Sequence, residues 1–311
     1  MNERVLVTGA SGFAGSHLVE LLAARGPVYA WSRSAPPKDF AHLATWQRVD
    51  LLDRAAVREA IADIRPTSVF HCAGSPHVAQ SWHDTATPFS SNVIATHHLL
   101  EALGAADCGT RVLISGSATI YAPSPVPIDE AHAIAPASPY ALSKLAQEQL
   151  GIRAIAEDGL DVVLTRSFNH TGPRQTTAFA APSMARQIAL IERGAIEPVI
   201  KVGNLDARRD FTDVRDVVRA YVQLVERGKT GAVYNVASGV AHTIRSVLDG
   251  LIELSRVDVR VEPDPGRLRP HDIPVLVGNA GRLRAATGWT PELTFEQMLA
   301  DLLGYWRKAV V

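Results

Sequence analysis

Cysteine is scarce in this chain: Cys72 and Cys108 are the only two thiols among 311 residues. So few argue against a disulfide framework and suit a reducing compartment. Neither thiol joins a His or acidic residue in a metal-ligand spacing, so no metal is expected. An excess of charge is also missing, with 31 Lys and Arg against 32 Asp and Glu. That balance speaks against a nucleic-acid surface or an acidic tail. No apolar run approaches the roughly 20 residues that span a bilayer. The opening Arg4-Val5-Leu6-Val7 is strand-like and runs into glycines, unlike a signal peptide. The expectation is a cytoplasmic protein with neither nucleic acid nor membrane as partner.

What is present is apolar substance: 47% of the residues are hydrophobic, enough for one large α/β domain with a smaller appended one. Strand patterns at Arg4–Thr8, Pro27–Trp31, Trp46–Val49, Ser68–Cys72, Arg111–Ser115 and Asp161–Ser167 alternate with helical patterns. The helices read as Gly15–Ala24, Ala55–Ile64, Pro88–Leu103 and Tyr140–Glu157. Such alternation predicts a doubly wound parallel sheet of the Rossmann type. The second half differs. Ser183–Glu192, Val214–Glu226 and Phe295–Ala309 read as helices, Ala232–Val236 as a strand, and Asn204–Asp213 and Pro263–Pro274 as polar loops. The expected division is a dinucleotide unit of residues 1–170 plus 213–240 and a smaller, mainly helical substrate unit of 171–212 plus 241–311.

Glycines 9, 12 and 15 follow the first strand and open the first helix. The first permits a tight turn, the second lets backbone approach a pyrophosphate, and the third lets helix pack on strand. The helix N-terminus attracts the phosphate charge. Gly9, Ser11, Gly12, Phe13 and Gly15 are therefore candidate dinucleotide contacts. NAD sites usually end the second strand with an acid that holds the ribose 2′-hydroxyl, whereas an Arg accommodates the 2′-phosphate of NADP. Here the strand ends Ala30-Trp31-Ser32-Arg33, so Arg33 favours NADP(H), with NAD(H) still open and a solvated surface Arg as the plain alternative. Asp50-Leu51 is an adenine-edge contact or an ordinary loop.

Tyr140 and Lys144 stand four apart at the start of a helix and share a face. A free phenol has a pKa of about 10, and a neighbouring ammonium would lower it. Ser117 lies just past the fifth strand, at the edge where such sheets bind ligands. Ser117, Tyr140 and Lys144 are the candidate catalytic residues.

These residues carry a resemblance. The chain resembles the extended short-chain dehydrogenase/reductases, in their nucleotide-sugar epimerase, dehydratase and reductase branch. The match runs through Thr8–Gly15, His71-Cys72-Ala73-Gly74, Asn92, Ser115–Tyr121, Tyr140–Lys144, Arg166–Pro173, Arg209–Val214, Arg269–Asp272 and Gly288–Pro291. The resemblance implies that Ala73 and Gly74 lie along the cofactor and that Lys144 also holds the nicotinamide ribose. It implies a nucleotide sugar as substrate and a homodimer built from Pro88–Leu103 and Tyr140–Glu157.

Within the branch, a 4,6-dehydratase needs an acid and a base after the catalytic hydroxyl. Ala118-Thr119 stand there, and neither does acid–base work. A 4-epimerase with tightly held NAD is an alternative. Asn169–Pro173, Val202–Val214 and Arg269–Asp272 look most like the reductases of GDP-linked 4-keto-6-deoxy-mannose. Arg174 departs from them, since glycine often follows Gly-Pro there. Arg209 and Arg269 are expected on the diphosphate, or else in surface salt bridges. Arg186 is a weaker candidate, and Asn169 and Thr119 are placed beside the sugar. A non-catalytic NADP sensor is the distant alternative, although Tyr140 and Lys144 are both retained.

Overall fold

In the computed structural model, residues 3–267 and 273–310 are described. The first half alternates strand and helix, with only a 3-10 turn (Lys38–Leu43) between its second and third strands: β1 (Val5–Thr8), α1 (Phe13–Ala23), β2 (Val28–Ser32), β3 (Thr45–Arg48), α2 (Arg54–Ile64) and β4 (Ser68–His71). A short α3 (Ala86–Pro88) leads into a π-helical stretch, Phe89–Ile94, and then α4 (Ala95–Ala106). β5 (Arg111–Ser117), α5 (Pro139–Asp158) and β6 (Asp161–Ser167) complete it.

The second half runs through β7 (His170–Thr171), α6 (Ala180–Glu192), β8 (Val199–Val202), β9 (Arg208–Asp210), β10 (Thr212–Asp213) and α7 (Val214–Arg227). Then come β11 (Val233–Val236), β12 (Ala241–Thr243), α8 (Ile244–Glu253), β13 (Arg260–Pro263), β14 (Val275–Leu276), α9 (Gly281–Thr287) and α10 (Phe295–Ala309).

The seven-stranded sheet has the order β11-β6-β5-β4-β1-β2-β3, and every pair is parallel. This is the Rossmann arrangement. The chain reverses direction across the sheet between β1 and β4, and ligands bind at the carboxyl ends beside that switch. The inner strands β1 and β4 are buried along their whole length because helices cover both faces, whereas the edge strand β3 is mostly exposed. One core joins α1 and α7 to the sheet through Leu18, Val217 and Tyr221. The other joins α2, α4 and α5 through Ile61, Leu99 and Ala154. A third core holds α6, α8 and α10 on β8 through Ile188, Leu248 and Leu302.

Local signals set the helices that matter. Ser138 caps α5 by accepting from the amide of Ala141 at 3.1 Å, Pro139 follows in the first turn, and Gly159 closes the helix at φ 65°. Such a cap is worth about 1 kcal/mol.

Several expectations shift. β5 extends to Ser117, which is thus the last strand residue rather than one past it. The helix expected over Pro88–Leu103 is interrupted by the π stretch, which carries buried Asn92 inward. The Asn92 amide donates to Ser143 Oγ at 2.9 Å, and its oxygen accepts from the Ser75 amide at 2.8 Å. The polar segment 204–213 is not all loop: Asp210 is fully buried and accepts from the amides of Ser238, Gly239 and Gly278, making β9 and β10 possible there.

Candidate active site

The glycine turn is built by close approach. Gly9 has φ 67°, and a Cβ there would lie 2.7 Å from the backbone of Ala73. At Gly15 a Cβ would lie 2.1 Å from the carbonyl oxygen of Gly9, so α1 packs directly on the turn. Gly12 begins α1 with no side-chain cap, leaving its first amides to a ligand. A cavity of about 620 Å³ opens over this turn. Gly9, Ser11, Gly12, Arg33, Asp50, Leu51, Ala73 and Gly74 all line it. Phe13 instead stacks on His170 with centroids 5.7 Å apart, and Gly15 is packing.

Ser32, Ser34, Arg48 and Cys72 line the same cavity without having been selected from sequence. Arg48 gets there by register, since it pairs with Ser32 across β2 and β3. The Ser34 amide donates to Ser32 Oγ at 3.1 Å, which folds the chain after β2 toward Ser11. These residues fit a dinucleotide: a backbone cradle too tight for side chains, a free helix N-terminus, and two cations at the end of β2 and β3.

Ser117, Tyr140 and Lys144 come together at the carboxyl end of β5. Ser117 hydrogen-bonds the hydroxyl of Tyr140 and lies 3.0 Å from Thr119 Oγ1. Burial pushes the Tyr140 phenol up, and the bond from Ser117 pulls the other way. The ammonium of Lys144 donates to the carbonyl of Ser115 at 2.6 Å and to Gln147 Oε1. Burial pulls Lys144 itself down to about 8.

Behind them, Glu148 and Arg166 form a buried two-pronged ion pair, at 2.8 and 2.7 Å. Arg166 also donates to the Tyr121 hydroxyl at 2.9 Å. This pair fastens α5 to β6 and so fixes the helix that bears Tyr140.

A second cavity, of about 300 Å³, is lined by Asn169 and Arg209 together with Lys201 and Arg267. Among the described residues its lining includes no carboxylate. Arg267 donates to Ser183 Oγ at 2.9 Å, bringing the segment after β13 onto α6. Arg186 is not brought there: it is exposed on α6, outside the lining. The helix turns its apolar stripe to the third core and Arg186 away from it. Arg269 lies outside the described residues. Lys201 and Arg267 were not selected because nothing local marks them; the fold alone converges them on Arg209.

A parallel Rossmann sheet with a glycine turn under a cavity after its first strand, and a serine, tyrosine and lysine at the carboxyl end of β5, defines an extended short-chain dehydrogenase/reductase. The chain belongs to the GDP-mannose 4,6 dehydratase family, whose model matches residues 6–302. It is 36% identical over its whole length to a GDP-6-deoxy-D-mannose reductase of Pseudomonas aeruginosa, covering 99% of that protein. The solved structure of RMD from Pseudomonas aeruginosa complexed with NADPH superposes with a TM-score of 0.86 at 34% identity, over 99% of this chain and 100% of that one. A UDP-glucose 4-epimerase of Thermus thermophilus in complex with NAD superposes at 0.87 with 30% identity, over 98% and 99%. No helix among the described residues is long and apolar enough to cross a membrane.

Proposed function

We propose that this chain reduces the C4 ketone of a nucleotide-linked 4-keto-6-deoxyhexose, of the GDP-4-keto-6-deoxy-mannose type, with NADPH. The observation that carries the reading is the convergence of Lys201, Arg209 and Arg267 on the second cavity. A diphosphate is the natural occupant of such a site. A 4,6-dehydratase would need a carboxyl beside the sugar, and buried Ala118 and half-buried Thr119 occupy the positions that would supply it. The 36% identity to the reductase supports reduction over epimerisation.

Gly9, Gly12 and the first amides of α1 would hold the pyrophosphate, with Ala73 and Gly74 alongside. A bound nicotinamide supplies hydride. Tyr140 gives its proton to the C4 oxygen as that oxygen gains charge, Ser117 aligns the carbonyl, and Asn169 orients the sugar. Lys144 serves the ribose and keeps a positive charge beneath Tyr140. The test is direct: NADPH with GDP-4-keto-6-deoxy-mannose, following oxidation of the cofactor.

NADPH is favoured over NADH because Arg33 and Arg48 both reach the cavity where the 2′ substituent belongs, and no acid ends β2. Asp50 is occupied in its own turn, accepting from the Leu52 amide at 3.0 Å.

The two-unit division expected from sequence is retained as a proposal. The third core draws its buried residues from 181–202, 247–251 and 298–303 alone. Leu276, Leu283 and Trp289 pack instead with α7 in the sheet's core, tying the smaller unit to the larger. A homodimer is proposed on the apolar side chains that the π stretch leading into α4, and α5, leave exposed, namely Phe89, Ile94, Leu142 and Ile152. Two-fold pairing of these helices would bury them.

A further inference from the structure

Below Lys144 lies a chain of polar side chains that the proposed reaction does not use. Thr8, His71, Thr96 and Gln147 are all fully buried. They come from β1, β4, α4 and α5, so only the finished fold assembles them. Thr96 Oγ1 lies 2.8 Å from Gln147 Nε2 and 2.8 Å from His71 Nε2, and it donates to the Asn92 carbonyl at 2.6 Å. His71 Nδ1 lies 2.8 Å from Thr8 Oγ1.

The directions of these bonds follow from counting protons. The single proton of Thr96 goes to the Asn92 carbonyl, which can only accept. Thr96 Oγ1 must therefore accept from both nitrogens. His71 then carries its proton on Nε2, and its bare Nδ1 accepts from Thr8. This requires a neutral ring, and burial pushes His71 down to about 3. The Gln147 amide is likewise fixed. Turned over, its oxygen would meet Thr96 with no proton to accept, and its NH2 would face the Lys144 ammonium. Its oxygen therefore points at Lys144, which donates to it.

We infer that Gln147 is the positioning residue for Lys144: a carboxamide locked by Thr96 and His71 whose oxygen, with the Ser115 carbonyl, holds the buried ammonium in place and keeps it charged. The role rests on the reading of Lys144 given above. A hydrogen bond to the charged form favours that form against burial. The other titratable groups around the ammonium do not replace it. Cys72 has its thiol pushed up to about 12 by burial. Tyr140 and, on α7, Tyr221 are also pushed up. His71 is neutral. Of these only Cys72 acts to raise Lys144, and with its own thiol pushed up by burial it holds its proton at neutral pH, so the ammonium is met there by the Gln147 and Ser115 oxygens.

The test is an NMR titration of the full chain labelled with 13C-lysine. There are five lysines, and Lys144→Met identifies the signal. Wild-type Lys144 should titrate near 8. Gln147→Met should move its pKa down by about one unit, and Gln147→Glu, which adds a charge, should move it up by one or more. Thr96→Val should act in the direction of Gln147→Met, with Thr96→Ser restoring the wild-type value, so the inference stays testable if one variant fails to fold. Lys144 titrating unchanged in Gln147→Met, or moving the same way in both Gln147 variants, would overturn it. The titration does not depend on turnover. If the shifts appear while Lys144→Met keeps full activity and cofactor affinity, the positioning stands and the role given to Lys144 fails.

Discussion

Ser32 and Arg48 are paired neighbours on parallel strands, and both line the cavity over the glycine turn. Arg33 follows Ser32 into the same lining, so two guanidiniums meet a serine-rich turn at the ends of β2 and β3.

Each guanidinium on a phosphate makes a charge-assisted bond of roughly 1.5–3 kcal/mol. Arg33→Ala should therefore lower kcat/KM for NADPH by about 10- to 100-fold and leave that for NADH nearly unchanged. Arg48→Ala should act in the same sense. Equal losses with both cofactors would show the side chains packing on adenine. No loss with either would remove the basis for the NADPH assignment.

Tyr140→Phe removes the hydroxyl proposed as proton donor and leaves the ring, while the Tyr140 backbone amide keeps its bond to Ser81 Oγ at 3.3 Å. Turnover at saturating substrate should fall by about 100-fold or more, with the Kd for NADPH, read by fluorescence, held within a few-fold. Near-normal turnover would assign proton donation elsewhere.

Burial, and then the guanidinium of Arg174, pull His17 down from 6.5 to about 4. The unfolded chain takes up this proton near pH 6.5, the folded one only near 4. Between those values the unfolded state binds more protons. Stability is therefore full above about pH 6.5 and declines as the pH falls toward 4, by up to about 3 kcal/mol for this group. Urea unfolding at pH 7 and pH 4.5 should show the decline, and His17→Gln should show a smaller one. An identical slope in the variant would place the acid sensitivity elsewhere, with His71 the next group to test.

If α4 and α5 pair across a two-fold axis, a charge on their exposed apolar face should split the assembly. Ile94→Glu with Leu142→Glu should run as a monomer in light scattering where the wild type runs as a dimer. A monomeric wild type would contradict the pairing.

Much of the site was legible because its signals are local. The glycine spacing 9, 12, 15 and the pair Tyr140 and Lys144 each lie within one turn or one helix, where spacing alone fixes geometry. The alternation of strand and helix likewise gave the sheet. Arg48, Lys201, Arg267 and Gln147 were not legible in the same way. Arg48 depends on the register of β2 against β3, and Gln147 matters only because Thr96 and His71 arrive from other elements. Arg186 shows the converse: a cation on a plausible helix, turned outward because the apolar stripe of α6 chose the other face. The π stretch was hidden because one extra residue in a helical turn leaves the apolar pattern nearly unchanged. The helix Ile244–Glu253 was there to be read in the spacing of Val247, Leu248 and Leu251.

The most direct measurement is the reaction itself. Purified protein with NADPH and GDP-4-keto-6-deoxy-mannose should consume the reduced cofactor one for one with the ketone. NMR of the product should show a new proton at C4 of a GDP-linked 6-deoxyhexose, deuterated there when the hydride of NADPH is deuterated. No cofactor oxidation, or inversion at C4 of a GDP- or UDP-hexose with no net consumption of NADPH, would contradict the account.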